Sequence, residues 1–169
     1  RIAPQLRQIL GPSSTLLIQQ PEADATVQID PALLEMVMVG LTENARDAMP
    51  SGGRLELRVA HTDQSVLLTL TDTGIGMNNA IRLRAFEPFF TTKTDERNGL
   101  GLSMCQSIIE QANGTLKLIS RPREGSTVSI TLPRLPETEA HDTPRTSSSA
   151  RLSGTERILL VEDIDKLRR

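Results

Sequence analysis

The sequence predicts a two-layer α/β sandwich with an antiparallel or mixed sheet. Three observations carry this. The strand-like segments come in pairs, without the regular β–α–β alternation of a doubly wound sheet. A long amphipathic pattern over 31–49 has a start signal and a stop signal. A second helical pattern over 100–113 ends at Asn113-Gly114, a good C-terminal stop. The folded domain is expected over about residues 12–133.

The elements follow in order. Residues 1–10 (RIAPQLRQIL) read as the end of a helix, broken by Gly11-Pro12. Residues 14–20 and 25–29 are β-rich and are expected to pair as a hairpin. Asp30-Pro31 opens a helix: Asp accepts from the free N–H groups, and Pro suits the first turn. That helix stops at Pro50-Ser51-Gly52-Gly53. In 54–60, Leu55, Leu57 and Val59 alternate with Arg54, Glu56 and Arg58, a strand pattern repeated over 65–71. Residues 74–98 lack a period and read as loop with a short helix. Strands at 115–120 and 126–132 flank a turn at 121–125.

The character changes at 134–156, rich in Pro, Ser, Thr and charge, which reads as a linker. Arg157 to Val161 (RILLV) then reads as a buried strand, followed by Glu162-Asp163. The chain opens without Met and stops soon after that strand begins, as a fragment of a longer protein would.

Composition narrows the function. Net charge is −2, which gives no basic surface for nucleic acid. Three Phe with no Tyr or Trp offer few platforms for base stacking. No apolar run approaches the roughly 20 residues that span a bilayer, so no membrane contact is expected of this piece. The single cysteine, Cys105, shares a helical face with Leu102, Ile108, Ile109 and Ala112 and is expected in the core.

Four segments carry chemistry: ENARDAM at 43–49, DTGIGM at 72–77, FEPFFTTK at 86–93 and GLGLS at 99–103. On the first helix, Gly40, Asn44 and Asp47 form a polar stripe beside the apolar stripe of Leu34, Val37, Met38, Leu41, Ala45 and Ala48. That stripe either lines a cleft, where Asn44 offers Mg²⁺ a neutral oxygen, or is a solvated face. Asp72 ends a strand, where it can accept from an exocyclic amine such as adenine N6, or can bond its own backbone in a turn. Gly74 and Gly76 allow a flat ligand to approach the backbone. Gly99 and Gly101 stand at a helix start, where free N–H groups and the dipole favour phosphate. Phe86, Phe89 and Phe90 either anchor a lid from which Lys93 reaches a phosphate, or form a small satellite cluster under a loop.

In order and spacing these segments resemble the N, G1, F and G2 boxes of the histidine kinase ATPase domain, a fold shared with gyrase, Hsp90 and mismatch-repair ATPases. The resemblance covers about residues 1–133, and ENARDAMPSGGRL with FEPFFTTK is most similar to nitrogen-regulation and hybrid kinases. It implies a Bergerat-type ATP-binding fold, with a mixed, mainly antiparallel sheet and helices on one face. It implies ATP and Mg²⁺ as cofactors. Asn44 would hold Mg²⁺ and, with Lys93, serve catalysis. Asp72 would bind adenine. Asp47, Gly74, Gly76 and Met77 would complete the pocket. Gly99, Leu100, Gly101 and Leu102 would form the lid hinge and phosphate contact, and Thr127 would support Asp72 through water. Residues 1–11 resemble the tail of a dimerisation helix that normally carries the phosphoacceptor histidine. ILLVEDIDKLRR resembles the start of a receiver domain, with Glu162 and Asp163 matching its Mg²⁺-binding acids.

The implied partners are the dimerisation domain of the same parent protein and a receiver domain or response regulator. The implied location is the cytoplasm, whether or not the parent is anchored in the inner membrane. His61 falls in a strand and His141 in the linker, so neither has the setting of a phosphoacceptor, and the piece is expected to be monomeric. Two departures stand out. Gly40 occupies a place usually held by Asn in such kinases and by a catalytic Glu in the related ATPases. Arg97 replaces a lid glycine. These keep open a nucleotide-sensing domain with degenerate kinase activity, while the absence of Glu at position 40 argues against a gyrase-like hydrolase.

Overall fold

A computed structural model describes residues 2–21, 25–92 and 98–135. Lys93, Arg97, His141, Glu162, Asp163, residues 136–156 of the expected linker and the expected last strand lie outside the described residues, while Arg134 and Leu135 belong to the folded body. The elements are α1 (Ala3–Leu10), β1 (Ser14–Gln19), α2 (Pro31–Ala48), β2 (Gly53–His61), β3 (Ser65–Asp72), α3 (Asn79–Arg84), α4 (Gly101–Gln111), β4 (Thr115–Arg121) and β5 (Gly125–Pro133). The strands form one sheet in the order β1-β2-β3-β5-β4. β1 runs parallel to β2, and the other three pairings are antiparallel.

Strand alternation sends one set of side chains towards the helices. Leu16, Leu55, Leu57, Leu70, Leu116, Ile130 and Leu132 join Val37, Met38, Leu41 and Ala45 of α2 and Cys105, Ile108 and Ile109 of α4 in one core. The opposite sheet face carries Leu17, Leu67 and Ile119, all exposed. The helices begin and end where their local chemistry requires. The Asp30 carboxylate accepts from the Ala32 N–H at 2.8 Å, and Asn78 caps α3 by accepting from Ile81 N at 2.9 Å. After α4, Asn113 turns to φ 54° and the Gly114 N–H returns to the Ile109 carbonyl at 2.9 Å. Within α2, buried Thr42 is satisfied by donating to the Met38 carbonyl at 2.7 Å.

The expected hairpin of 14–20 with 25–29 is not formed. β1 pairs instead with β2, placing Leu16 opposite Leu55. The second segment contributes a single bridge from Val27 to Arg134, beside a bond from Leu135 N to the Thr26 carbonyl at 2.8 Å. Val27 and Ile29 pack against the core, so their β-rich composition serves burial rather than a ladder.

The first helix is a member of the folded body. Leu6 and Leu10 are buried, Leu6 completely, and α1 packs on α2 and β1. Replacing a fully buried Leu by Ala removes transfer energy and leaves a cavity. Leu6→Ala is expected to cost about 3 kcal/mol of stability in urea denaturation, whereas a helix that merely trailed from the domain would give no measurable change.

Candidate functional site

Asp72 ends β3 on the helix-facing side of the sheet and is only 7% exposed. Its Oδ1 accepts from Gly74 N at 2.8 Å and from Ser126 N of β5 at 3.2 Å. The first bond is the local Asx turn. The second crosses the sheet and fixes the carboxylate in direction. Burial raises its carboxyl above the usual carboxylate range, against the lowering effect of the Gly74 and Ser126 N–H groups and the Ser126 hydroxyl.

The loop after Asp72 is tied down on two sides. Ile75 N donates to the Ala48 carbonyl, at the end of α2, at 2.9 Å, and Arg123 N donates to the Ile75 carbonyl at 2.7 Å. Met77 N donates to Ser120 Oγ at 2.8 Å. These contacts need the glycines. A side chain at Gly74 would begin 2.5 Å from the Ala48 carbonyl oxygen. Gly76 has φ +63°, and a side chain there would run into the Arg121 carbonyl. The result is a fixed backbone wall beside a buried carboxylate.

Thr127 does not support Asp72. The register places Asp72 opposite Ser126 and Thr71 opposite Thr127, and the two threonine hydroxyls meet 3.1 Å apart. A one-residue offset along a strand reverses the face, so Thr127 lies on the sheet side away from the helices. The supporting residues are Ser126 and Ser120, both buried, whose hydroxyls lie 3.0 Å apart. Sequence reasoning missed both, and only the β3–β5 register would have found them.

Asn44 and α4 form the other side. α2 and α4 pack against one another. A methyl group at Gly101, the first residue of α4, would sit 3.8 Å from Asn44 Nδ2. Leu100 provides no side-chain cap for that helix end. Asp47, on the same helix as Asn44, accepts from Arg46 Nη2 at 2.9 Å. Of the phenylalanines, Phe86 packs against the core, Phe90 lies under the Arg84 guanidinium at 4.2 Å, and Phe89 is 75% exposed. The expectation that all three anchor a lid is therefore corrected, because Phe89 points its ring to solvent rather than into the core. A side chain on Gly99 would begin 2.6 Å from the Phe89 carbonyl carbon, so the FEPFF and GLG segments are in contact.

This donor set fits an adenine nucleotide with magnesium. A buried carboxylate is placed to accept from an exocyclic amine. The glycine-walled loop admits a flat ring, and an uncapped helix start suits phosphate. Among the described residues no three His, Cys, Asp or Glu side chains gather as a metal cage. A magnesium ion takes few protein oxygens and shares phosphate oxygens and water, and an amide oxygen such as that of Asn44 would suit it. A separate groove lined by Val27, Ile29, Leu33, Ile108, Ala112 and Leu135 lies near the opposite end of α4.

The fold and these residues define an ATPase domain of the histidine kinase type. The family described as histidine kinase-, DNA gyrase B- and HSP90-like ATPases matches residues 29–136, and the chain belongs to it. It is similar to the sensor kinase CckA of Brucella abortus (strain 2308), 36% identical over 96% of this chain and 20% of that protein. It is also similar to the adaptive-response sensory kinase SasA of Rippkaea orientalis (strain PCC 8801 / RF-1), 36% identical over 78% of this chain and 35% of that protein. The chain thus spans about a fifth to a third of these relatives. The fold matches the mycobacterial sensor histidine kinase MprB at a TM-score of 0.69, with 22% identity over 79% of this chain and 91% of that one. It matches the catalytic domain of histidine kinase ThkA at 0.66, with 24% identity over 80% and 87%.

The buried carboxylate has a consequence for stability. Between the ordinary carboxylate range and its raised value, the folded protein holds a proton that the unfolded chain has released. The contribution of Asp72 to stability is therefore greatest in acid and declines as pH rises through that window. Asp72→Asn keeps an Oδ1 acceptor for Gly74 and Ser126 without the charge. The ligand-free variant is expected to be at least as stable as wild type at neutral pH, with a flatter profile in urea denaturation as pH rises above the ordinary carboxylate range.

Proposed function

We propose that this domain binds Mg·ATP between the Asp72 loop and the start of α4. It then presents the γ-phosphate to a histidine on the dimerisation domain of the same parent protein. The observation that carries the reading is the buried Asp72 carboxylate, fixed by Gly74 and Ser126, in a domain where Asn44 meets the uncapped first turn of α4. Bound ATP supplies the phosphoryl group, and Mg²⁺ neutralises charge on its phosphates.

Each residue then has a task. Asp72 accepts from adenine N6, which selects adenine over guanine. Gly74, Gly76 and Met77 form the wall of the base pocket. Asn44 contributes the metal's protein oxygen, with Asp47 one turn further along α2. Gly99, Leu100, Gly101 and Leu102 hinge the lid and turn N–H groups towards phosphate, and Lys93 adds a cation there. Phosphoryl transfer depends on such positioning and charge neutralisation more than on covalent help from the protein. Residues 1–11 are the tail of the dimerisation helix, 136–156 a linker, and 157–169 the start of a receiver domain, with Glu162 and Asp163 as part of its metal site. The next acceptor is that receiver or a response regulator. The match to CckA over 96% of this chain supports a homologous region beyond residue 136.

The alternative is a nucleotide-sensing domain with degenerate transfer, favoured by the missing side chain at Gly40 and by Arg97. Calorimetric titration with ADP and with a non-hydrolysable ATP analogue tests the binding. Wild type is expected to bind the analogue more tightly with Mg²⁺ than without. Asn44→Ala should lose most of that metal dependence, a weakening of about tenfold or more, and Asp72→Asn should abolish binding of both nucleotides. Incubated alone with labelled ATP, the fragment is expected to take up no label. Label should appear on an added dimerisation domain, and bound nucleotide without such transfer would favour the sensing reading.

A further inference from the structure

Gly40 lies inside α2, and its surroundings give it a use. A methyl group placed there would meet one atom within 4 Å, Cys105 Sγ, at 3.5 Å. Cys105 is 1% exposed and its thiol donates to the Val37 carbonyl of α2 at 3.8 Å. Four residues along each helix, in opposite directions, Asn44 meets Gly101. Residues four apart lie on the same helical face. The two contacts are therefore successive rungs between antiparallel helices, one made of Gly40 and Cys105, the next of Asn44 and the first turn of α4.

We propose that Gly40 and Cys105 are a positioning pair that sets the distance between Asn44 and the phosphate-facing first turn of α4. This rests on the nucleotide-binding reading above. At Gly40 the α2 surface carries no side chain, and a single methyl there would already reach van der Waals contact with the Cys105 sulfur. The thiol bond to Val37 ties α4 to that rung. The empty position at 40 is then matched to its partner rather than being a lesion. Burial pushes the Cys105 thiol up to about 11, so at neutral pH it stays a small neutral group suited to packing. A larger side chain at 105 would spread the rung and move Gly101 away from Asn44. Asp72 and its loop, which hold the base, belong to the far side of the site and would stay in place.

The test compares two ligands on the intact chain. ADP without metal reports the base pocket, and a non-hydrolysable triphosphate with Mg²⁺ reports the Asn44–α4 spacing. Cys105→Leu is expected to raise the Kd of the Mg-triphosphate about tenfold while changing that of ADP by no more than about twofold. Cys105→Ser, which keeps the size and the donor to Val37, should restore triphosphate affinity. Gly40→Ala should weaken the triphosphate more in the Cys105→Leu background than in wild type, because both additions fill the same space. Should Cys105→Leu fail to fold by circular dichroism, Cys105→Val gives the same comparison with a smaller increment. Equal losses for both ligands, or additive effects of the two sites, would reduce the pair to ordinary core packing and overturn the proposal. A wild-type chain that binds neither nucleotide would remove the nucleotide reading, and this inference with it.

Discussion

The buried carboxylate of Asp72 is the constraint on which the rest of the site depends. Taking an ionised group out of water is costly unless hydrogen bonds hold it. Here the donors come from two places, the turn at Gly74 and strand β5 at Ser126. The bond from β5 requires that β3 and β5 stay in register. The bond from Gly74 requires a loop that bends at once and lies flat on the end of α2. The serine pair Ser120 and Ser126 extends the same network into β4. Three strands, one helix end and a glycine loop are thus organised around one oxygen atom.

A second requirement is set by the helix pair. α4 supplies buried Cys105, Ile108 and Ile109 to the core while its first turn stays uncapped. The buried residues of the helix fix where its first turn lies. Small residues at the crossing, Gly40 and Gly101 against Cys105 and Asn44, let functional groups on the two helices approach without intervening bulk. Packing and chemistry are therefore properties of the same contact.

Much of this was legible in the sequence, because much of it is local. The Asp30-Pro31 start, the Asn113-Gly114 stop and the alternation of Leu55, Leu57 and Val59 each depend on neighbours a few residues away, and the elements fell where these signals put them. The four motif segments were legible as a set for the same reason. What failed was non-local. The partner of β1 is chosen by the core position of Leu16 opposite Leu55, not by the nearest β-rich segment, so the expected hairpin with 25–29 gave way. The resemblance implies Thr127 beside Asp72, but the residue facing Asp72 is Ser126, since a strand period of two makes an offset of one residue a change of face. Phe89 adjoins Phe90 in sequence, yet its backbone takes φ 65° and its ring is exposed.

The burial of Leu6 and Leu10 changes what α1 is mechanically. A chain joined to a domain through a slack connection can be pulled or twisted without the domain feeling it. Here the joint is wedged into the interior and rests on α2, the helix that also carries Asn44. Torque applied at Ala3 would be borne by the frame of the nucleotide site itself. α1 thus shares its support with the helix that carries Asn44, and the short break at Gly11-Pro12 lies on the β1 side of that contact rather than between α1 and α2.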